Sequence, residues 1–222
     1  MSTFVLVHGG WRGGWTYASV ARTLRGLGHD VYTPTLTGLG ERVHLAHARP
    51  NLDTHIMDVA NVLIFENLGD VILCGHSYAG MVITGVADRL PDKIAALVYV
   101  DAFVPEDGDA WWTLAGDYFR KLAIDGSAAD GFSVTPPPGT DPRRVPHPLA
   151  AFRQAIHLEG RWKEIPKMMF IYASGWDHTP FTATYERLKL EPGWIVKSLP
   201  TGHGIIDEAP GDFLNLVQKL IT

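Results

Sequence analysis

A chain of 222 residues with 46% hydrophobic content carries enough apolar side chain for one sizeable core, and a single domain spanning residues 1–222 is expected. Its 19 basic and 24 acidic residues leave a formal charge of −5 with no basic run, which argues against nucleic acid or an anionic membrane as a partner. The one cysteine, Cys74, excludes an intrachain disulfide and a cysteine-rich metal site. The first apolar run lacks the basic lead and length of a signal peptide, and no apolar stretch approaches the roughly 20 residues of a membrane span, so a soluble cytoplasmic protein is expected.

Six short β-branched runs recur along the chain: Phe4 to Val7, Asp30 to Thr33, Val71 to Cys74, Ala95 to Val100, Met168 to Tyr172 and Trp194 to Leu199. Helical patterns separate them, which predicts an α/β fold with a parallel sheet covered on both faces. Trp15 to Gly28 reads as a helix ended by Gly26 or Gly28. Ile56, Val59, Ala60, Leu63 and Ile64 form one apolar face, with Asp53 or Thr54 as the expected N-cap. Met81 to Leu90 is helix-like, and Phe213, Leu214, Val217, Leu220 and Ile221 make a C-terminal stripe. Between about 105 and 166 the pattern gives way to aromatics, acidic residues and prolines with no clear strand. An insertion of that length between two core strands predicts a lid within the same domain.

Gly75-His76-Ser77-Tyr78-Ala79-Gly80 places Ser77 on a tight turn between a predicted strand and a predicted helix. Such a turn lifts a serine hydroxyl above the sheet edge and aims the helix's first N–H groups at charge developing beside it. The usual pattern is G-x-S-x-G, and Ala79 departs from it at the last position. A serine hydroxyl also needs a histidine to take its proton and a carboxylate to orient that histidine. Among ten histidines, His203 follows the last strand and is the expected base. His178 is a less suitable neighbour of Asp177, and His8 and His76 are expected to shape the site. His29, His44, His47, His55 and His157 read as surface residues. Asp177, after the penultimate strand, is the expected acid, with Asp101 at the end of Ala95 to Val100 as its competitor. The glycine-rich loop His8-Gly9-Gly10-Trp11 lets bare backbone approach a ligand. Gly10 N–H and Tyr78 N–H are the expected oxyanion donors. No Walker or dinucleotide fingerprint is present, and neither a cofactor nor a metal is expected.

These motifs, together with Gly28-His29-Asp30-Val31, Val100-Asp101-Ala102-Phe103-Val104-Pro105 and Gly202-His203, resemble the α/β-hydrolase superfamily. The narrower likeness is to small bacterial carboxylesterases, including pyrethroid-hydrolysing ones, and to plant methylesterases and hydroxynitrile lyases. The resemblance implies a reduced sheet of six parallel strands and puts Ser77, Asp177 and His203 in the triad positions. It also implies a carboxylesterase working through an acyl-enzyme. Lyases of this branch carry threonine after the strand-end histidine and lysine after the catalytic histidine; Gly9 and Gly204 stand there instead, which favours ester hydrolysis. Trp11, Trp111, Trp112, Phe119, Trp162 and Trp176 are expected to line a pocket for apolar or aromatic small-molecule esters, with Phe132 also in the lid. A binding protein without turnover, a lactonase or carbon–carbon hydrolase, and a lyase remain alternatives. The sequence does not specify the oligomeric state.

Overall fold

The computed structural model describes residues 1–177 and 179–220; His178 and Ile221 lie outside them. The strands are β1 (Thr3–Val7), β2 (Asp30–Tyr32), β3 (Val71–His76), β4 (Ile94–Val100), β5 (Ser133–Val134), β6 (His147–Pro148), β7 (Met168–Ala173) and β8 (Trp194–Leu199). Six of them form one parallel sheet in the order β2-β1-β3-β4-β7-β8. A separate antiparallel pair joins β5 to β6. The helices are α1 (Ala18–Gly26), α2 (Leu52–Phe65), α3 (Ala79–Arg89), α4 (Trp111–Leu114), α5 (Gly116–Gly126), α6 (Leu149–Arg153), α7 (Thr182–Leu190), α8 (Ile205–Glu208) and α9 (Pro210–Gln218).

The central strands are apolar along their length because both faces are covered. Side chains alternate across a strand, so Val5, Val7, Leu73, Leu97, Tyr99 and Phe170 pack with α2 and α3. Phe4, Leu6, Cys74, Val98 and Ile171 pack on the other face with α1 and α9. Helix α2 begins earlier than its apolar spacing suggests, with Asn51 as its N-cap and not Asp53 or Thr54. The Asn51 Oδ1 accepts from the Thr54 N–H at 3.0 Å, and the Thr54 hydroxyl answers the Asn51 N–H in a capping box. Before α1 the chain makes a 3-10 turn over Gly14–Tyr17, so the α-helix proper starts later than Trp15. Among the described residues no helix is long and apolar enough to cross a membrane.

Strand order reverses at β1, between β2 and β3, and this is where an open α/β sheet leaves a crevice at its carboxyl ends. Ser77 follows β3 there and Gly9-Gly10 follow β1. The segment between β4 and β7 contains α4, α5, the β5–β6 pair and α6. It reaches the same end of the sheet: the Trp11 indole N–H donates to the Val134 carbonyl at 2.8 Å, and the Val145 N–H donates to the Trp11 carbonyl at 3.0 Å. Trp111 stacks on Phe152 with ring centroids 4.0 Å apart.

Candidate active site

Ser77 has φ 56°, in the left-handed region that a non-glycine residue enters at a cost. The surrounding contacts hold it there. The Ser77 N–H donates to the Val100 carbonyl at 3.2 Å, and its carbonyl accepts from Gly80 and Phe103 N–H groups. The turn also needs missing side chains. A Cβ on Gly75 would fall 2.8 Å from the Ala79 carbonyl oxygen, and one on Gly80 would fall 1.9 Å from that of Phe103. Ala79 is tolerated because its own methyl is buried in the α2–α3 core, so the close-approach glycine of this elbow is Gly80.

His203 lies beyond β8, and its Nε2 is 2.9 Å from the Ser77 Oγ. Its Nδ1 is 2.7 Å from the Asp101 Oδ2. The carboxylate that meets His203 is therefore Asp101, and Asp177, favoured from chain order, is corrected. Asp177 is exposed on the loop after β7, and both ring nitrogens of His203 are already engaged by other groups. Asp101 is fully buried at the end of β4, the strand next to β3, and its turn has φ 42°. Its Oδ1 accepts from the Ala173 N–H at 3.1 Å, and its Oδ2 from the Trp176 indole N–H at 3.1 Å. Burial pushes the Asp101 carboxyl above the usual range, while the Ala173 and Trp176 donors favour the ionised form. Burial also lowers the His203 pKa, and the Arg12 and Arg144 guanidiniums lower it further. An isolated imidazolium is thus disfavoured, and the geometry holds an Asp101 carboxylate facing a neutral His203 with its proton on Nδ1. Such an arrangement leaves Nε2 free to take a proton from the Ser77 hydroxyl.

The other residues expected at the site separate clearly into near and far. Gly9 lies against the Ser77 turn: a Cβ there would be 2.7 Å from the His76 Nδ1 and 3.1 Å from the Ser77 Cβ. Gly10 faces Phe152 and His147, which a Cβ would meet at 3.6 and 3.7 Å. Among the described residues neither the Gly10 nor the Tyr78 N–H donates to a turn or loop carbonyl. Trp11 meets Phe152 edge-on at 5.5 Å. Phe119 meets Trp176 at 6.1 Å, and Trp112 lies beneath the Arg153 guanidinium. Trp176 is chiefly a partner of Asp101, with its ring 4.7 Å from His203. Trp162 is a correction: its N–H donates to Asp88, near the far end of α3, where the ring is buried core. Phe132 is half exposed with Arg49 stacked on it.

His55 is a second correction, because it is fully buried, not at the surface. Its Nε2–H donates to the Thr37 carbonyl, so its Nδ1 accepts from the Tyr78 hydroxyl at 2.9 Å. His76 Nε2–H donates to the His203 carbonyl at 2.8 Å, and burial holds its pKa well below the ordinary value. Sequence reasoning missed Arg12 and His147. The Arg12 guanidinium, 8% exposed, pairs with Asp207 at 2.6 Å and ties the glycine-rich loop to the helix after His203. His147 lies flat against Phe152; nothing in the local sequence marks it. Among the described residues no group of three His, Cys, Asp or Glu side chains is arranged to hold a metal ion.

Comparison with known proteins gives the same architecture. The model of the alpha/beta hydrolase family matches residues 4–216. A carbendazim hydrolyzing esterase of Nocardioides sp. (strain SG-4G) is 41% identical over an alignment of 241 residues, covering 99% of this chain and 98% of its own. Methylesterase 2 of Arabidopsis thaliana is 33% identical over 109 residues, 46% of this chain and 40% of its own. The crystal structure of a pyrethroid hydrolase from Sphingobium faniae JZ-2 shares the fold, with a TM-score of 0.78 at 24% identity over 98% of this chain and 96% of that one. The chain belongs to the α/β-hydrolase family and is a serine-hydrolase carboxylesterase, allied to bacterial esterases and to the plant methylesterase branch.

Proposed function

We propose that this esterase cleaves neutral apolar or aromatic esters with Ser77 as nucleophile, His203 as general base and Asp101 as the orienting carboxylate. The observation that supports this most is the unbroken hydrogen-bond line from the Ser77 Oγ through His203 to Asp101, at 2.9 and 2.7 Å. Ser77 Oγ attacks the ester carbonyl carbon while its proton passes to His203 Nε2. The Gly10 and Tyr78 N–H groups receive the oxyanion. The tetrahedral intermediate collapses, His203 protonates the departing alcohol, and Ser77 carries the acyl group. Water then repeats the sequence and releases the acid. Asp101 stabilises the imidazolium of both steps without taking its proton.

Trp11, Trp111, Trp112, Phe119 and, from the geometry, Phe152 and His147 form the aromatic surroundings of the acyl group. The segment from 105 to 166 acts as the lid that carries most of them. Carbendazim and a pyrethroid, which appear in the names of relatives, are the first natural candidates to assay. The enzyme works in the cytoplasm, in keeping with its one cysteine being a buried free thiol, and the mechanism needs no cofactor. A panel of p-nitrophenyl esters of rising acyl length tests the reading. The parent should turn over the neutral esters, and Ser77→Ala should lose about 10⁴-fold or more in kcat. Activity of Ser77→Ala within tenfold of the parent would contradict the assignment.

A further inference from the structure

We propose that His147 is a specificity-determining residue of this esterase: its Nε2 accepts a hydrogen bond from an O–H or N–H that the substrate carries on its acyl part, close to the ester carbonyl. The proposal rests on the reading of Gly10 as an oxyanion donor and of the aromatic rings around it as the acyl pocket. His147 lies on β6 and is fully buried. It stands at the glycine-rich loop, where a Cβ on Gly10 would fall 3.7 Å from its Cδ2, the ring carbon bonded to Nε2. Its Nδ1 is 3.2 Å from the Pro148 carbonyl oxygen. A carbonyl only accepts, so the ring proton is on Nδ1 and Nε2 holds a lone pair. Burial keeps the ring neutral, its pKa well below the ordinary value. Among the described residues no group bonds that Nε2.

The polar groups nearest the ring have already given their protons elsewhere. The Tyr78 ring is 4.7 Å away, and its hydroxyl donates to the His55 Nδ1 at 2.9 Å. His55 itself donates from Nε2 to the Thr37 carbonyl at 2.9 Å. The Trp11 indole N–H goes to the Val134 carbonyl at 2.8 Å, and the His8 Nδ1–H to the Gly9 carbonyl at 2.8 Å. A buried acceptor without a donor is costly, and here the donor has to arrive with the substrate. The acceptor is also held in place. The ring lies flat on Phe152, with centroids 4.0 Å apart and planes 4° from parallel. His147 pairs with Val134 across the β5–β6 ladder, which Trp11 ties to the glycine-rich loop. Pro148 fixes its own φ and keeps the residue before it extended. Turning the ring to seek another partner would break both the Phe152 stack and the Nδ1–H bond. An acyl group with a donor near its carbonyl satisfies Nε2, whereas one with a CH₂ there leaves it unpaired in the complex.

Three methyl esters built on one phenyl-bearing frame separate the possible donors. Methyl mandelate carries an O–H on the carbon next to the carbonyl, methyl N-phenylcarbamate carries an N–H next to the carbonyl, and methyl phenylacetate has a CH₂ and no donor. For each, kcat/KM is measured by methanol release, which reports acylation of Ser77, in the parent, His147→Phe and His147→Gln. Phenylalanine keeps the stack on Phe152 without an acceptor. Glutamine brings an amide oxygen to the ε position and restores one. The ratio of donor ester to methyl phenylacetate should fall about tenfold in His147→Phe, the scale of one hydrogen bond between neutral groups, and return to within about threefold of the parent in His147→Gln. A fall for one donor ester alone supports the proposal and assigns the donor as O–H or N–H.

Both ratios unchanged in a folded His147→Phe, even if all three rates drop together, would overturn the proposal, as would no recovery in a folded His147→Gln. If His147→Phe shows no cooperative thermal transition, His147→Leu, equally without an acceptor, is read in its place. If neither folds, His147→Gln decides alone, and folded it must keep the parental ratios. A parent that turns over p-nitrophenyl butyrate but neither donor ester also overturns the proposal. A parent that hydrolyses no ester contradicts the proposed function instead.

Discussion

Replacing Asp101 with asparagine should disable the enzyme, whereas the same change at Asp177 should leave it close to the parent. Three N–H groups converge on the Asp101 carboxylate, from Ala173, Trp176 and His203. An asparagine has one acceptor oxygen and an NH₂ that only donates. If the oxygen takes the Ala173 N–H, the NH₂ faces the Trp176 and His203 positions. His203 Nδ1 must then become an acceptor, which moves the ring proton to Nε2 and removes the lone pair that accepts the Ser77 proton. If the oxygen faces His203, the NH₂ opposes the Ala173 donor inside a fully buried site. A wrong histidine tautomer costs about 10³- to 10⁴-fold in kcat, or roughly 4–5.5 kcal/mol of transition-state stabilisation. The assay is steady-state hydrolysis of p-nitrophenyl butyrate, with thermal melts to confirm that both variants fold. Asp177→Asn should stay within threefold of the parent. A larger loss in Asp177→Asn than in Asp101→Asn would refute the reasoning.

Gly80→Ala should destroy activity and lower stability sharply, because its Cβ would fall 1.9 Å from the Phe103 carbonyl oxygen. Ala79→Gly should remain active and lose about 1–2 kcal/mol, from helix propensity and its buried methyl; equal behaviour of the two in melts and turnover would contradict the account of the elbow. His8 and His55 are held near pKa 4 when folded, against the ordinary 6.5, so the unfolded chain binds more protons below pH 6.5. Stability should therefore be full above that pH and fall on acidification toward pH 4, by about 2 kcal/mol for each histidine at pH 5. Urea unfolding at pH 7.5 and pH 5 measures this, and equal stabilities would refute it. Mandelonitrile should not be cleaved above its uncatalysed rate, since a side chain at Gly204 would meet the Glu208 and Asp207 carboxylates and the nearby Arg12 is already paired. Cyanide release at a rate matching ester hydrolysis would contradict that expectation.

The four inner strands were legible because strands buried on both faces read as continuous apolar runs, whereas the edge strands β2 and β8, only partly buried, were legible as short β-branched runs set between helical patterns. Ser77 and His203 were legible because the sharp turns that present them require small neighbours. The acid was not, since both Asp101 and Asp177 fall between Ser77 and His203 in the chain. The choice depends on lateral geometry: β4 lies next to β3, and Trp176 folds back to donate to Asp101, whereas the chain carries Asp177 outward. His55 carried a usable signal, because it stands three residues after Leu52 and four before Val59 on the buried face of α2. Trp162 carried none, since nothing in the inserted segment's composition distinguishes a ring packed beneath α3 from one roofing the site.

Labelling with a fluorophosphonate, followed by peptide mass mapping, tests the Ser77–His203–Asp101 arrangement most directly because it follows the nucleophile without any choice of substrate. The label should map to Ser77 in the parent, form at a rate lowered about 10³-fold in Asp101→Asn, and form at the parental rate in Asp177→Asn. A label on another residue, or a slowed reaction in Asp177→Asn with Asp101→Asn unaffected, would contradict the account.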